Sequence, residues 1–365
     1  MQLDRATLDR SLQLGRTFLL NSQTEAGNFN YEYDWREKTL SRDDNQVRQA
    51  GALWGLTLIH NDAPDPELES HIDRGIAFFA SHQRSGPDGR SCVAYPGDRT
   101  GTTGTIALLA LAHVDYLRAL GQGSPEPKSR QLRNRLDGYL RYLLAARNED
   151  GVFHGEFDPS SCTPSGEHSP YSDGEALLAL TKAAKYLGRT DLVPLAIEVA
   201  DAGYRLNVER ALAEDSDSDT TKGFYQWSSM SFFELATSGW PGTQKYGTYV
   251  MDLADWMIHT HHTLWRTRNT AYAYEGIIHA YEIARERNDP RQSIYGCVID
   301  VGLQRLTSWQ VGGPIPADYL RGTQELDDPF AVGGIQNEAR LPGLRIDVTQ
   351  HQMHAVILAR RYVYQ

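Results

Sequence analysis

Cysteine is scarce in this chain. Only Cys92, Cys162 and Cys297 occur in 365 residues, and no two have the spacing of a zinc knuckle or a dithiol redox motif. Cys92 and Cys162 lie in neighbouring loops and are close enough in the repeat pattern to touch, but free thiols are the expected state. Long apolar runs are missing too. None approaches the roughly 18 residues that a membrane span needs. Met1-Gln-Leu-Asp-Arg5 leads straight into an amphipathic pattern, without the basic and apolar regions of a signal peptide, so the expected location is cytoplasmic. Positive charge is in deficit, with 36 Lys and Arg against 47 Asp and Glu, a net charge of −11. That balance argues against a nucleic-acid backbone or an anionic membrane as partner. No P-loop, GxGxxG or GxSxG occurs, so nucleotide-dependent and serine-hydrolase chemistry have no support and no cofactor is expected.

What the chain does have is a cycle repeated about six times. Each unit runs an amphipathic helix, a loop rich in Gly, Asp and aromatics, and a second, more apolar helix. The first three pairs read as 8–20 with 47–60, 72–82 with 103–120, and 132–146 with 173–187. Leu8, Leu12 and Leu19 recur at helical spacing, whereas Ala52, Leu53, Leu56 and Ile59 leave no polar face. The later pairs, 192–208 with 232–236, 249–261 with 270–287, and 293–309 with 348–362, are less regular. Short hairpins are expected only in loop pieces such as 151–157. Six helix pairs close most simply into a double ring, the apolar helix of each pair inside. No Pro/Ser/Gly linker interrupts the series. Its most linker-like stretch, Gly121–Ser129, joins two helices of the same alternation, so one domain over 1–365 is expected.

This all-α pattern of about twelve helices resembles the (α/α)6 toroid, the six-hairpin architecture of many glycoside hydrolases, polysaccharide lyases and sugar epimerases. Terpene cyclases and protein prenyltransferases share a related toroid. The loops Gln23–Phe29, with Gly27-Asn28, and Asn148–Phe153, with Gly151, are similar to loop repeats of that group. Arg345-Ile-Asp-Val-Thr-Gln-His-Gln-Met-His354 resembles C-terminal motifs of bacterial polysaccharide-biosynthesis and glucuronyl-epimerase-like proteins.

The candidate chemistry gathers at the starts of the apolar helices. Asp347, His351 and His354 follow one another at helical spacing, so one face can carry all three, and an Asp-oriented His is a natural acid–base near neutral pH. The competing reading is a helix cap with satisfied histidines. Glu175, in Tyr171-Ser-Asp-Gly-Glu175, sits either in a cap or at a cavity rim. Its loop also holds His154, Glu156, Asp158 and His168. Glu275 in an otherwise apolar helix is costly unless paired or used; Arg266 and Arg268 just before it suit a carboxylate or phosphate, and Asn269 beside them is a further substrate-binding candidate. A bracing Glu–Arg pair is the plainer alternative.

Tyr31, Tyr33, Trp35, Tyr225, Trp227 and Tyr274 offer aromatic walls for sugar rings. Gln336 and Arg345 flank the last helix. His259, His261 and His262 invite a metal, but their place at a helix end explains them as well, and no metal site is assigned. The acidic stretch 214–219 lacks EF-hand spacing and any Asp-rich isoprenoid motif, and reads as a solvated loop. The leading expectation is an enzyme on an oligo- or polysaccharide, working by carboxylate, His and Tyr acid–base chemistry as hydrolase, lyase or epimerase. An isoprenoid-handling toroid and a non-catalytic glycan- or protein-binding toroid are the alternatives.

Overall fold

A computed structural model describes residues 3–121 and 126–365, so four residues of the linker-like stretch, 122–125, lie outside the described residues. The helices are α1 (Arg5–Ser22), α2 (Gln46–Asp62), α3 (Pro66–Ser81), α4 (Thr103–Leu120), α5 (Glu126–Ala145), α6 (Pro170–Leu187), α7 (Val193–Tyr204), α8 (Ala211–Glu214), α9 (Asp219–Ala236), α10 (Tyr246–His259), α11 (Ala271–Arg287), α12 (Arg291–Thr307) and α13 (Ile346–Tyr362). A π-helical stretch, Arg205–Arg210, joins α7 to α8 without a break. Counting that run once, twelve helices stand in six pairs among the described residues.

Local chemistry sets the starts. Asp4 accepts from Thr7 N at 2.8 Å and Asn45 from Arg48 N at 3.1 Å, capping α1 and α2. The helix expected over 232–236 begins thirteen residues earlier, at Asp219. Ser218 caps it through Thr220 N, and Asp219 sits in its first turn. Part of the acidic stretch therefore complements a helix N-terminus, rather than forming only a solvated loop. The polar run Asp219–Lys222 and Gly223 had hidden the period.

Eight short strands lie between the helices of the described residues: β1 (Glu32–Asp34), β2 (Thr39–Leu40), β3 (Gln83–Ser85), β4 (Ser91–Val93), β5 (Gly101–Thr102), β6 (Glu156–Asp158), β7 (Thr163–Ser165) and β8 (Gly343–Arg345). All pairings are antiparallel. β1 lies between β2 and β8, with Tyr33 opposite Leu40 and Leu344. β3 pairs with β4, and β6 lies between β5 and β7.

The chain falls into two compact units, Met1–Arg74 with Val250–Gln365, and Gly75–Tyr249. In the first, α13 packs against α1, α2 and α11, and α12 backs α11. The close approach needs glycine: a Cβ at Gly15 of α1 would collide with Met353, and one at Gly55 of α2 with Gln350. In the second unit, α6 packs against α4 and α9, with α5 against α4 and α7 against α6. The apolar helices are wrapped as their sequences imply. Burial is unbroken from Gln49 to His60 in α2 and from Thr103 to Leu117 in α4. In α5, by contrast, Leu132, Leu136, Leu140 and Leu143 are buried while Arg133 and Arg141 face solvent. Each such leucine contributes about 1.5–3 kcal/mol by leaving water.

The cysteines depart from the expected free thiols. Cys92 and Cys162 are joined in a disulfide across 70 residues, and only Cys297 is free. The β3–β4 hairpin and the loop before β7 meet so closely that a Cβ at Gly86 would strike Ser161 O and Cys162 Cβ. Sequence spacing carries no sign of that meeting. No described helix is long and apolar enough to cross a membrane.

Candidate active site

In the first unit, α11 and α13 bring Glu275, His351 and His354 together. Glu275 is fully buried on α11, in the alanine- and isoleucine-rich stretch that made it conspicuous in sequence. His354 Nδ1 lies 2.8 Å from Glu275 Oε1, and His351 Nδ1 lies 3.4 Å from the same oxygen and 3.3 Å from Oε2. Burial pushes the Glu275 carboxyl up, but the two histidines outweigh it and hold the group below the usual carboxylate range. An ionised carboxylate accepts from both Nδ1–H groups, so each ring keeps Nε2 as its acceptor. The two rings differ in access. The His351 side chain is 21% exposed and that of His354 8%. His354 also meets the Trp54 ring edge-on at 5.3 Å. A reactant therefore reaches His351 more readily.

Asp347 does not orient these histidines, although the spacing allowed it. Arg345 holds it through two bonds, Nε to Oδ1 at 3.0 Å and Nη2 to Oδ2 at 2.5 Å, and Arg48 Nε lies 3.2 Å from Oδ2. A bidentate guanidinium two residues away is the stronger partner. Both arginines also sit over the Tyr31 ring, each 5.6 Å from its centre, and Arg48 donates to the Tyr31 hydroxyl. Burial and Asp347 push that hydroxyl up, against the arginines. Arg48 and Trp54 were not singled out in the sequence. Arg48's place at the first turn of an apolar helix beside an aromatic loop was the available sign.

Asn269 ties the loop before α11 to the same region. Its N donates to Asn337 O at 2.7 Å, and its Nδ2 lies 3.4 Å from Gln352 Oε1 and 3.5 Å from Gln336 O. Gln336 is buried and donates to Leu341 O. Arg266 turns into its own loop instead, donating to His261 O at 2.8 Å and meeting His261 Nδ1 at 3.0 Å. Arg268 stays exposed, 4.0 Å from Glu338. Tyr274 faces α12, where a Cβ at Gly302 would collide with its hydroxyl, and burial pushes that hydroxyl up to about 12. Tyr33 donates to Asp328 at 2.9 Å, and Arg36 lies over the Trp35 ring. Tyr274 and Tyr33 are thereby engaged in helix packing and a loop contact.

The second unit holds the remaining candidates. Glu175 is buried on α6 where it meets α4, and a Cβ at Gly104 would collide with its Oε2. Tyr225 and Trp227 are buried within α9, and Tyr171 is half exposed beside Gly223. Asp173 accepts from Phe153 N at 3.1 Å, Asn207 Nδ2 at 3.0 Å and His168 Nδ1 at 2.9 Å. With His154, Glu149 and Asp150, His168 lines a cavity of about 700 Å³.

The hydrogen bond to Asp173 raises the His168 imidazole above its ordinary 6.5, against partial burial. The contact therefore stabilises the fold fully below about pH 6.5, and that contribution fades as pH rises through the raised folded value. Urea titrations of wild type and His168→Gln should give a stability gap that is wider at pH 6 than at pH 8.5. A gap that widens with pH contradicts this pairing.

No protein-family profile matches the chain, and no curated protein matches its sequence. Solved structures do match its fold. Cellobiose 2-epimerase from Bacillus thermoamylovorans aligns over 98% of this chain and 99% of its own at 10% identity, with a TM-score of 0.69. The fold is the (α/α)6 toroid. D-mannose isomerase aligns over 98% and 96% at 13% identity (TM-score 0.65), and a glycoside hydrolase family 76 mannosidase from Bacteroides thetaiotaomicron over 98% and 99% at 14% (TM-score 0.62). At such identities the likeness speaks for the toroid fold alone.

Proposed function

We propose that this toroid is a carbohydrate-active enzyme that moves a proton on a reducing sugar, as an epimerase or isomerase. The observation that carries the reading is one buried carboxylate holding two histidines. Hydrolysis of a glycosidic bond calls for two carboxyl groups flanking that bond. In the first unit, Asp347 is bound to two arginines and Glu275 to two histidines, so neither suits that task. Proton transfer at a carbon beside a carbonyl needs a base near neutrality, and an imidazole oriented by a carboxylate provides one. In this reading His351 takes the proton through Nε2. Glu275 fixes the tautomer and stabilises the imidazolium that forms. His354 shares the carboxylate and holds it in place. Tyr31, Arg48 and Asn269 are the polar groups proposed to meet hydroxyls and the carbonyl oxygen, with the buried Gln336 holding the loop behind them. Two of the solved structures with this fold are a cellobiose 2-epimerase and a D-mannose isomerase, which supports an epimerase or isomerase reading.

The compartment is a separate question. The Cys92–Cys162 bond favours oxidising surroundings over the cytoplasm that the N-terminal sequence suggested.

The test is incubation of the protein in D2O with reducing mono- and disaccharides of the gluco and manno series. The expected product is an epimer or ketose carrying carbon-bound deuterium. New reducing ends without deuterium would move the reading to hydrolysis.

A further inference from the structure

A tryptophan stands almost free in the loop between α10 and α11. Trp265 is 81% exposed, the most exposed of the large hydrophobic side chains described. Single exposed apolar residues are ordinary, but this one is held in place by its surroundings. The imidazole of His262 lies flat against the indole, 5.0 Å between centres and 16° between planes. To put it there, His262 adopts a left-handed backbone with φ 53°, which a residue other than glycine seldom does. Trp265 N donates back to His262 O at 2.9 Å. Arg305 clamps the carbonyls on either side of the indole, Leu264 O and Arg266 O. Strain kept in a loop fixed this firmly is a sign of use.

The loop also has an address. Four residues on, Asn269 bonds to Gln352, the neighbour of His351 on α13. Arg268 bridges to Glu338 beside it. Chain reach limits Trp265 to about 14 Å from Asn269. That keeps the Trp265 backbone in the neighbourhood of the α13 start, on a loop that also carries an exposed guanidinium. One indole face is covered by His262, and its high exposure leaves the other to solvent. A flat apolar face beside charged hydrogen-bonding groups is what the CH face of a pyranose ring requires.

We propose that Trp265, backed by His262, is a stacking subsite for a sugar unit beyond the reacting one, so that the enzyme takes oligosaccharides in preference to monosaccharides. This rests on the proposed sugar chemistry at His351, but its test does not depend on turnover. The probe is a borohydride-reduced tetrasaccharide of the gluco or manno series, which has no carbonyl and cannot react. Its affinity is measured by calorimetry for wild type, Trp265→Ala and Trp265→Phe.

Alanine should weaken binding about tenfold or more and phenylalanine should recover part of it. Melting temperatures should stay together because the side chain is exposed. On reactive substrates, Trp265→Ala should lower kcat/KM for the tetrasaccharide and leave the monosaccharide's unchanged. Equal affinity in wild type and Trp265→Ala, or no binding of the probe by wild type, overturns the subsite. Probe binding that depends on Trp265, without turnover of any sugar, would keep the subsite and sink the catalytic reading instead.

Discussion

Replacing His351 with alanine should lower kcat on the best reducing sugar by about 10²–10⁴-fold, the span general acid–base catalysis supplies. The melting temperature should fall modestly, since the side chain is partly exposed and His354 still holds the Glu275 carboxylate. Glu275→Gln should lose most activity as well, by a different route. A neutral amide no longer stabilises an imidazolium, and its donor group competes with the two Nδ1–H groups it faces. This second variant should also lose stability in a pH-dependent way. The folded carboxyl lies below its ordinary 4.5, so its contribution is present above that value and disappears as pH falls through the folded one. The stability gap between Glu275→Gln and wild type should therefore be full at pH 7 and close in acid. His351→Ala that keeps kcat/KM and merely melts earlier would reduce the cluster to a brace. Deuterium uptake from solvent, measured on both variants, separates loss of proton transfer from loss of binding.

Periodicity made most of this fold legible. Helices α2, α4 and α6 announce themselves because burial on all sides demands apolar residues on all sides. The amphipathic stripe of α5 does the same for a helix with one wet face. The start of α9 was hidden because Asp219–Lys222 is polar for capping and dipole reasons, and those signals look like a loop. At the site, Glu275 and the two histidines were each readable as costly or concentrated polar groups. Their meeting was not, because it depends on α11 and α13 packing side by side. Asp347 shows the limit from the other direction. Its helical spacing to His351 was right, but Arg345 and Arg48 reach its oxygens first. Arg266 was read as a ligand for anions, and its own loop takes it up through His261. The Cys92–Cys162 bond depends wholly on loops that the chain separates by 70 residues.

The largest stability effect should come from a group that no site claims. Asp115 on α4 is fully buried and holds Lys182 of α6 at 2.5 Å and Arg118 at 2.8 Å. Burial drives the Lys182 ammonium down and Asp115 pulls it back up, while Arg118 adds to the downward push. Removing the acid takes from the buried Lys182 its foremost counter-charge, with Glu234 remaining, so Asp115→Ala should cost up to about 3–5 kcal/mol. The cost should depend on pH in a definite sense. Without Asp115, Lys182 gives up its proton more easily in the folded state, while the unfolded chain keeps it to near pH 10. The unfolded state then binds more protons, and stability of the variant rises with pH. Urea unfolding should show a deeper loss at pH 6 than at pH 9. Exchanging both partners, Asp115→Leu with Lys182→Met, should restore most of it, because an apolar pair of similar volume replaces an ion pair at little net cost. A loss below about 1 kcal/mol, equal at both pH values, would mean that water reaches this pair and that the contact between α4 and α6 rests on its alanines and leucines alone.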